Sequence, residues 1–148
     1  MATSTIPAAI DALVTLLAAG LTGVSVHDGP AVTSDYTDHL SVGYSGRENP
    51  EVVSFEQTAA GIQRGSHPRD EVFFVACLIN STGEDVMRTR RARAFEILAN
   101  VETVLRSNLS LGGVVQTAQV ADGSLLQDRD EDGMFAGLSF RIRCKSRI

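Results

Sequence analysis

Tryptophan is absent from this 148-residue chain, and lysine occurs once, at Lys145. Cysteine occurs twice, proline four times, and aromatic residues make up 5% of the whole. Two cysteines cannot build the dense disulfide framework of a small secreted domain. Cys77 and Cys144 each lie in an apolar run, so the expectation is two buried thiols rather than a bridge. No apolar run reaches the ~18 residues of a transmembrane helix, which argues against a membrane partner. The nearest candidate, 12–21, has no Lys or Arg before it and is bordered by Asp11. Thr5, Pro7 and the spacing of Ile6, Ile10, Leu13, Leu17 and Leu21 predict an amphipathic packing helix there, not a signal peptide.

Catalytic and metal-binding spacings are missing as well. The chain has no G-x-S-x-G, no phosphate loop, no H-E-x-x-H and no C-x-x-C. His27, His39 and His67 are scattered over early strands and loops, with no pair at metal-ligand spacing. The expectation is therefore a protein without catalysis, cofactor or metal. An enzyme would have to rest on carboxylates that a linear reading cannot pair.

What is present is a large aliphatic content and an uneven charge. Hydrophobic residues make up 43% of the chain, enough for one core in one domain, 1–148. The formal net charge is −5, and that acidity argues against a primary nucleic-acid binder. Residues 1–80 hold nine acids and three arginines, a balance of −6; residues 81–148 hold nine acids and ten bases, a balance of +1. Such asymmetry suits a molecule whose copies meet head to side. Twelve of the thirteen bases are arginine. Arginine's planar fork suits interfaces, although a genome-wide codon preference gives the same excess.

Patterning divides the chain into recognisable elements. Short strands are expected at 24–27, 39–44 and 51–57, with Val53 and Phe55 on one side of the last. A polar loop is expected at 31–38 and a surface loop at 58–70, where Gly61, Gly65 and Pro68 interrupt any period. Residues 71–80 are almost all apolar and predict a central strand covered on both faces. Ser81 to Asp85 supply hydroxyls and acids for the start of a long helix over about 84–108. Met87, Ala94, Leu98, Val101 and Leu105 form its core stripe, widened by Ile97 and Val104. Strands at 114–120, 124–127 and 134–145 complete the chain. In the last, Met134, Ala136, Leu138, Phe140, Ile142 and Cys144 face one way, and Ser139, Arg141, Arg143 and Lys145 the other. The fold class is α+β: a mixed, mostly antiparallel sheet, packed by an N-terminal helix and one long helix, closing on a C-terminal strand pair.

Three charged clusters are candidate surfaces. Asp128, Asp130 and Asp132 open a D-x-D-x-D-G run like that of a calcium loop, but position twelve is Ser139 and both flanks read as strands. An acidic hairpin turn, with Gly133 at positive φ, is the expectation. Arg88, Arg90, Arg91 and Arg93 crowd one end of the long helix and spread over more than half its circumference. They read either as a solvated surface with internal pairing, such as Glu84 to Arg88, or as a patch facing a subunit or DNA. Arg141, Arg143 and Lys145 are candidates for a joint or a lumen, or a solvated sheet face.

The order of these elements carries a resemblance. An N-terminal helix leads to Leu40-Ser41-Val42-Gly43, then to a buried strand ending Cys77-Leu78-Ile79. The long helix holds Arg91-Ala92-Arg93-Ala94-Phe95-Glu96-Ile97-Leu98. Leu111-Gly112-Gly113-Val114 follows, and a strand pair closes on Gly137-Leu138-Ser139-Phe140. This resembles the tail terminator and tail-completion proteins of long-tailed bacteriophages, most firmly over 71–145. The resemblance implies a homo-oligomeric ring, usually of six copies, in the neck of the virion. The ring would cap the tail tube protein and dock a head-completion or connector protein, with room for DNA passing through its lumen. Two other classes stay open: a monomeric ligand-binding or regulatory module, and a small enzyme without a familiar motif.

Overall fold

The computed structural model describes residues 3–31, 38–46, 53–59, 68–131 and 133–148, apart from the Asp130 side chain. The elements in chain order are α1 (Ile6–Gly20), β1 (Ser25–Asp28), β2 (Asp38–Val42), β3 (Val53–Ala59), β4 (Arg69–Gly83), α2 (Met87–Ser107), β5 (Thr117–Asp130) and β6 (Gly133–Arg147). The fold is α+β, as the patterning predicts. Among the described residues, no helix is long and apolar enough to cross a membrane.

One six-stranded sheet runs β1-β2-β4-β6-β5, and β3 pairs with β4 beside β2. β2 takes the stretch of β4 from Cys77 to Ser81, and β3 takes the stretch from Arg69 to Val75. Gly43 and Tyr44 both donate their N–H to the Ala76 carbonyl at the boundary between them. β1 lies parallel to β2; every other pairing is antiparallel.

Both helices pack on the same sheet face, the side on which β6 is apolar; β4 carries apolar side chains on both faces, and β6 sets Ser139, Arg141, Arg143 and Lys145 on the other. Glu71, Phe73, Val75, Cys77, Ile79 and Ser81 of β4 are buried, and so are Ala136, Leu138, Phe140, Ile142, Cys144 and Ser146 of β6. α1 places Ala9, Leu13 and Leu17 on this face, and α2 places Ala94, Ile97, Val101 and Leu105 there. Burying each large side chain is worth about 1.5–3 kcal/mol, so this shared layer supplies most of the drive to fold. The two helices approach closely at Gly20, where an added Cβ would sit 2.6 Å from Val104 Cγ2.

Several expected features change in the folded chain. The run 71–80 is not covered on both faces: Val72, Phe74 and Leu78 are only half-buried on the helix-free side. The expected helix start instead belongs to β4, since Ser81 to Gly83 still pair in the sheet. α2 begins after Val86, with no side-chain cap and no acid in its first turn. Glu84 therefore precedes the helix and has no i,i+4 relation to Arg88. The two strands expected at 114–120 and 124–127 are one strand, with a bulge between Val120 and Asp122. Phe55 lies on the helix side with Val53, yet it is 63% exposed. The loop expected at 58–70 falls largely outside the described residues.

Glu71 is the one acidic side chain in the buried set, at 0% exposure. Its Oε1 accepts from the Thr5 N–H at 3.0 Å and the Thr5 hydroxyl at 2.9 Å, and its Oε2 accepts from Gln57 Nε2. The Ser146 hydroxyl lies 2.8 Å from that of Thr5. One carboxylate thus ties the start of α1 to β3, β4 and β6. Burial pushes its pKa up, but the donors from Gln57, Thr5 and Ser4 outweigh it and hold the value below the ordinary one. A lowered folded value makes the contribution complete above the ordinary carboxyl pKa and lost as pH falls through the folded pKa. Glu71→Ala is expected to cost about 2–3 kcal/mol in urea unfolding at pH 7, with the gap to wild type narrowing toward pH 3. Equal midpoints at pH 7 would show that the carboxylate is not needed.

Candidate assembly surface

The sheet face opposite the helices carries the odd-numbered side chains of β6. Ser139, Arg141, Arg143, Lys145 and Arg147 stand there in a row, across from Leu78, Ala76, Phe74, Val72 and Asp70 of β4. The ends of the cationic row are neutralised. Arg141 pairs through both nitrogens with Asp122 of β5, Nε donating at 2.8 Å. Its guanidinium also lies over Phe74, 4.4 Å from the ring centre. Arg147 pairs in the same way with Asp70, Nε donating at 2.8 Å. Those hydrogen bonds hold the Asp122 and Asp70 carboxyls below their usual values and raise both arginines. Between the two pairs, Arg143 and Lys145 make no ion pair among the described residues. A strip with two open cations therefore crosses the uncovered face.

The arginines of α2 separate into two sets. Arg90 and Arg93 are half-buried and turn toward β2, where Asp38 is the hub. Arg93 Nε donates to Asp38 Oδ2 at 2.9 Å, and Arg90 Nη1 lies 3.7 Å from Oδ1. The Ser81 hydroxyl donates to Asp38 at 2.6 Å, and Arg90 also pairs with Asp85 at 2.9 Å. Arg93 has a further partner in Glu96 at 3.2 Å. Arg88 and Arg91 are exposed; Arg91 Nη1 donates to Gln127 of β5 at 2.8 Å, and Arg88 has no ion pair among the described residues. Arg90 and Arg93 thus clamp the helix to β2, Arg91 reaches from an exposed position to β5, and Arg88 faces outward. Asp38 itself falls at the end of a stretch that reads as polar loop, so pattern alone gave no sign of the clamp.

The acidic run forms the β5–β6 hairpin. Asp128 lies in β5 and accepts from the Arg129 N–H at 2.7 Å; Asp132 and the Asp130 side chain lie outside the described residues. Gly133 has φ +124°, and a Cβ there would collide with the Gly83 carbonyl. Strands flank the run on both sides, and Ser139 sits in the ladder opposite Leu78.

Two histidines that look scattered in the chain meet on the open face. His27 and His39 have ring centres 5.9 Å apart, because β1 and β2 pair in parallel. Burial, then the neighbouring His27, lowers the His39 pKa. His67 lies outside the described residues. Among the described residues, no three His, Cys, Asp or Glu side chains gather to hold a metal. Cys77 and Cys144 are free and buried, and burial pushes each thiol up to about 12. Cys77 faces Phe140 and Cys144 faces Phe73, which separates them by roughly 13 Å along the sheet. That is too far for a bridge.

The two sheet edges differ. β5 forms one edge alone, and its residues from 121 to 129 are all exposed. Beside it, between β5 and α2, lies a cleft of about 230 Å³ lined by Phe95, Leu98, Val120, Leu125, Leu138 and Phe140. β1 and β3 share the opposite edge, where Phe55 projects.

This architecture has a precedent. It resembles a chain in the virion of a native gene transfer agent particle. The likeness spans 99% of this chain and 100% of that one, at a TM-score of 0.51 and 14% identity, and it concerns the fold. No protein-family model and no curated protein matches the sequence.

The Asp38 clamp can be tested directly. Asp38→Ala leaves two half-buried guanidiniums short of a partner and is expected to lower the unfolding free energy by about 2 kcal/mol. Arg88→Ala, on the outward side, is expected to change it by less than about 0.5 kcal/mol. Equal effects in urea denaturation would rule out the division between the two sets.

Proposed function

We propose that this chain is a structural protein of a phage-like particle, acting through assembly and not through catalysis. The supporting observation is the full-length likeness in fold to a chain of a gene transfer agent virion, which neither partner of the comparison exceeds by an appreciable segment. The finer reading follows the resemblance in element order. Copies close into a ring of about six in the neck, cap the tail tube and receive the head-completion or connector protein.

Three features of the surface favour this reading. The helix-free sheet face carries cations without an ion pair among the described residues at Arg143 and Lys145, compatible with passing DNA. The two edges are chemically different, as a closed ring of identical copies requires. The outward arginines, Arg88 and Arg91, leave charge free for a neighbour.

Native mass measured across a concentration series, with negative-stain images of the largest species, tests the proposal. A closed species of about six chains is expected. A monomer at every concentration would favour the alternative of a monomeric binding module.

A further inference from the structure

Three of the six large apolar side chains exposed among the described residues lie at the two margins of the sheet. Phe55, 63% exposed, projects from β3 at one edge of the sheet. Phe95 and Leu125, 47% and 37% exposed, flank the cleft beside the opposite edge. All three stand on the helix-bearing face: Phe55 is opposite Phe73, and Leu125 is opposite Leu138. A large apolar side chain at one edge and an apolar cleft at the other are complementary shapes that a single copy cannot join.

Strand direction agrees with such a joint. β4 is antiparallel to β3 and to β6, and β5 is antiparallel to β6. β5 is therefore parallel to β4 and antiparallel to β3. A second copy in like orientation would bring its β3 antiparallel to the free edge of β5, which is the stronger pairing. The pleat then sets Phe55 on the side where the cleft opens.

Charge agrees as well. α1, β1 and β3 carry Asp11, Asp28 and Glu56, all exposed, and no Lys or Arg. On α2, which walls the cleft, Arg90 and Arg93 are held by Asp38 and Arg106 by Glu102, which leaves Arg88 and Arg91 exposed without an ion pair among the described residues. Asp122 on β5 is already paired with Arg141, so the stretch from Thr117 to Gln127 offers no open acid to repel the incoming edge.

We infer that β3 of one copy adds to β5 of the next, with Phe55 seated in the cleft between α2 and β5. This rests on the ring reading and specifies its joint. The contact is heterologous, so it propagates from copy to copy until a ring closes.

Cysteine pairs test the joint without relying on stability. Phe55→Cys combined with Val120→Cys or Leu125→Cys should give, under mild oxidation, a ladder of covalent multimers. Each single substitution should give none beyond a dimer, and the native thiols, buried at 0% exposure, should not compete. Separately, Phe55→Asp should raise the concentration midpoint of assembly by at least about tenfold, with an unchanged circular dichroism spectrum. A wild-type ring that persists in Phe55→Asp, with no ladder in either double variant, would overturn the joint and leave the ring reading standing. A wild-type monomer at every concentration, again with no ladder, would overturn both.

Discussion

Fourteen consecutive residue pairs join β4 to β6, from Asp70 and Arg147 to Gly83 and Met134, and the other elements take their places from that ladder. Its alternation assigns one face to the helices and leaves the other without a helix among the described residues. α2 links β4 to β5, and the hairpin returns the chain to β6 along β4. β2 and β3 then divide the remaining side of β4 at Ala76. Removing any single strand at the margin would shorten the sheet; disturbing this ladder would remove the surface on which both helices rest.

The ladder also sorts the polar groups. Buried polarity concentrates at its two ends on the helix side. Glu71 anchors the start of α1 at one end, and Ser81 with Asp38 anchors the start of α2 at the other. Each anchor ties a helix terminus to two or more strands. That arrangement matters because neither helix has a capping side chain from its own N-cap residue. The orientation of the helices relative to the sheet is thus set by a carboxylate at each end and by aliphatic packing between them.

What could be read from the chain follows the distance over which the deciding interaction acts. The alternation of β6, the Ala94, Ile97, Val101 and Leu105 part of the α2 stripe and the hairpin at Gly133 depend on neighbours within a few residues, and all three were legible; Met87 and Leu98 of that stripe are only half-buried. Asp122-Gly123 looks like a turn locally, yet the ladder with β6 carries the strand through it by a bulge. Ser81 to Asp85 look like a helix cap, yet pairing with β2 and β6 prolongs β4 to Gly83. The division of the α2 arginines depends on Asp38, some fifty residues earlier, and so stayed hidden. The meeting of His27 with His39 needed a parallel pairing that no short pattern announces. Phe55 shows the converse: its side of the strand was readable, but its 63% exposure was not.

The strict alternation of β6 has a further consequence, for register. A slip of one residue against β4 would turn Arg141, Arg143 and Lys145 into the layer now filled by Phe140, Ile142 and Cys144. Desolvating three cations among aliphatic side chains would cost more than any repacking could recover. A slip of two would keep the faces but part Arg147 from Asp70. The charges on the bare face therefore act inside the molecule as well, as a code that admits one alignment of strands sixty residues apart in the chain.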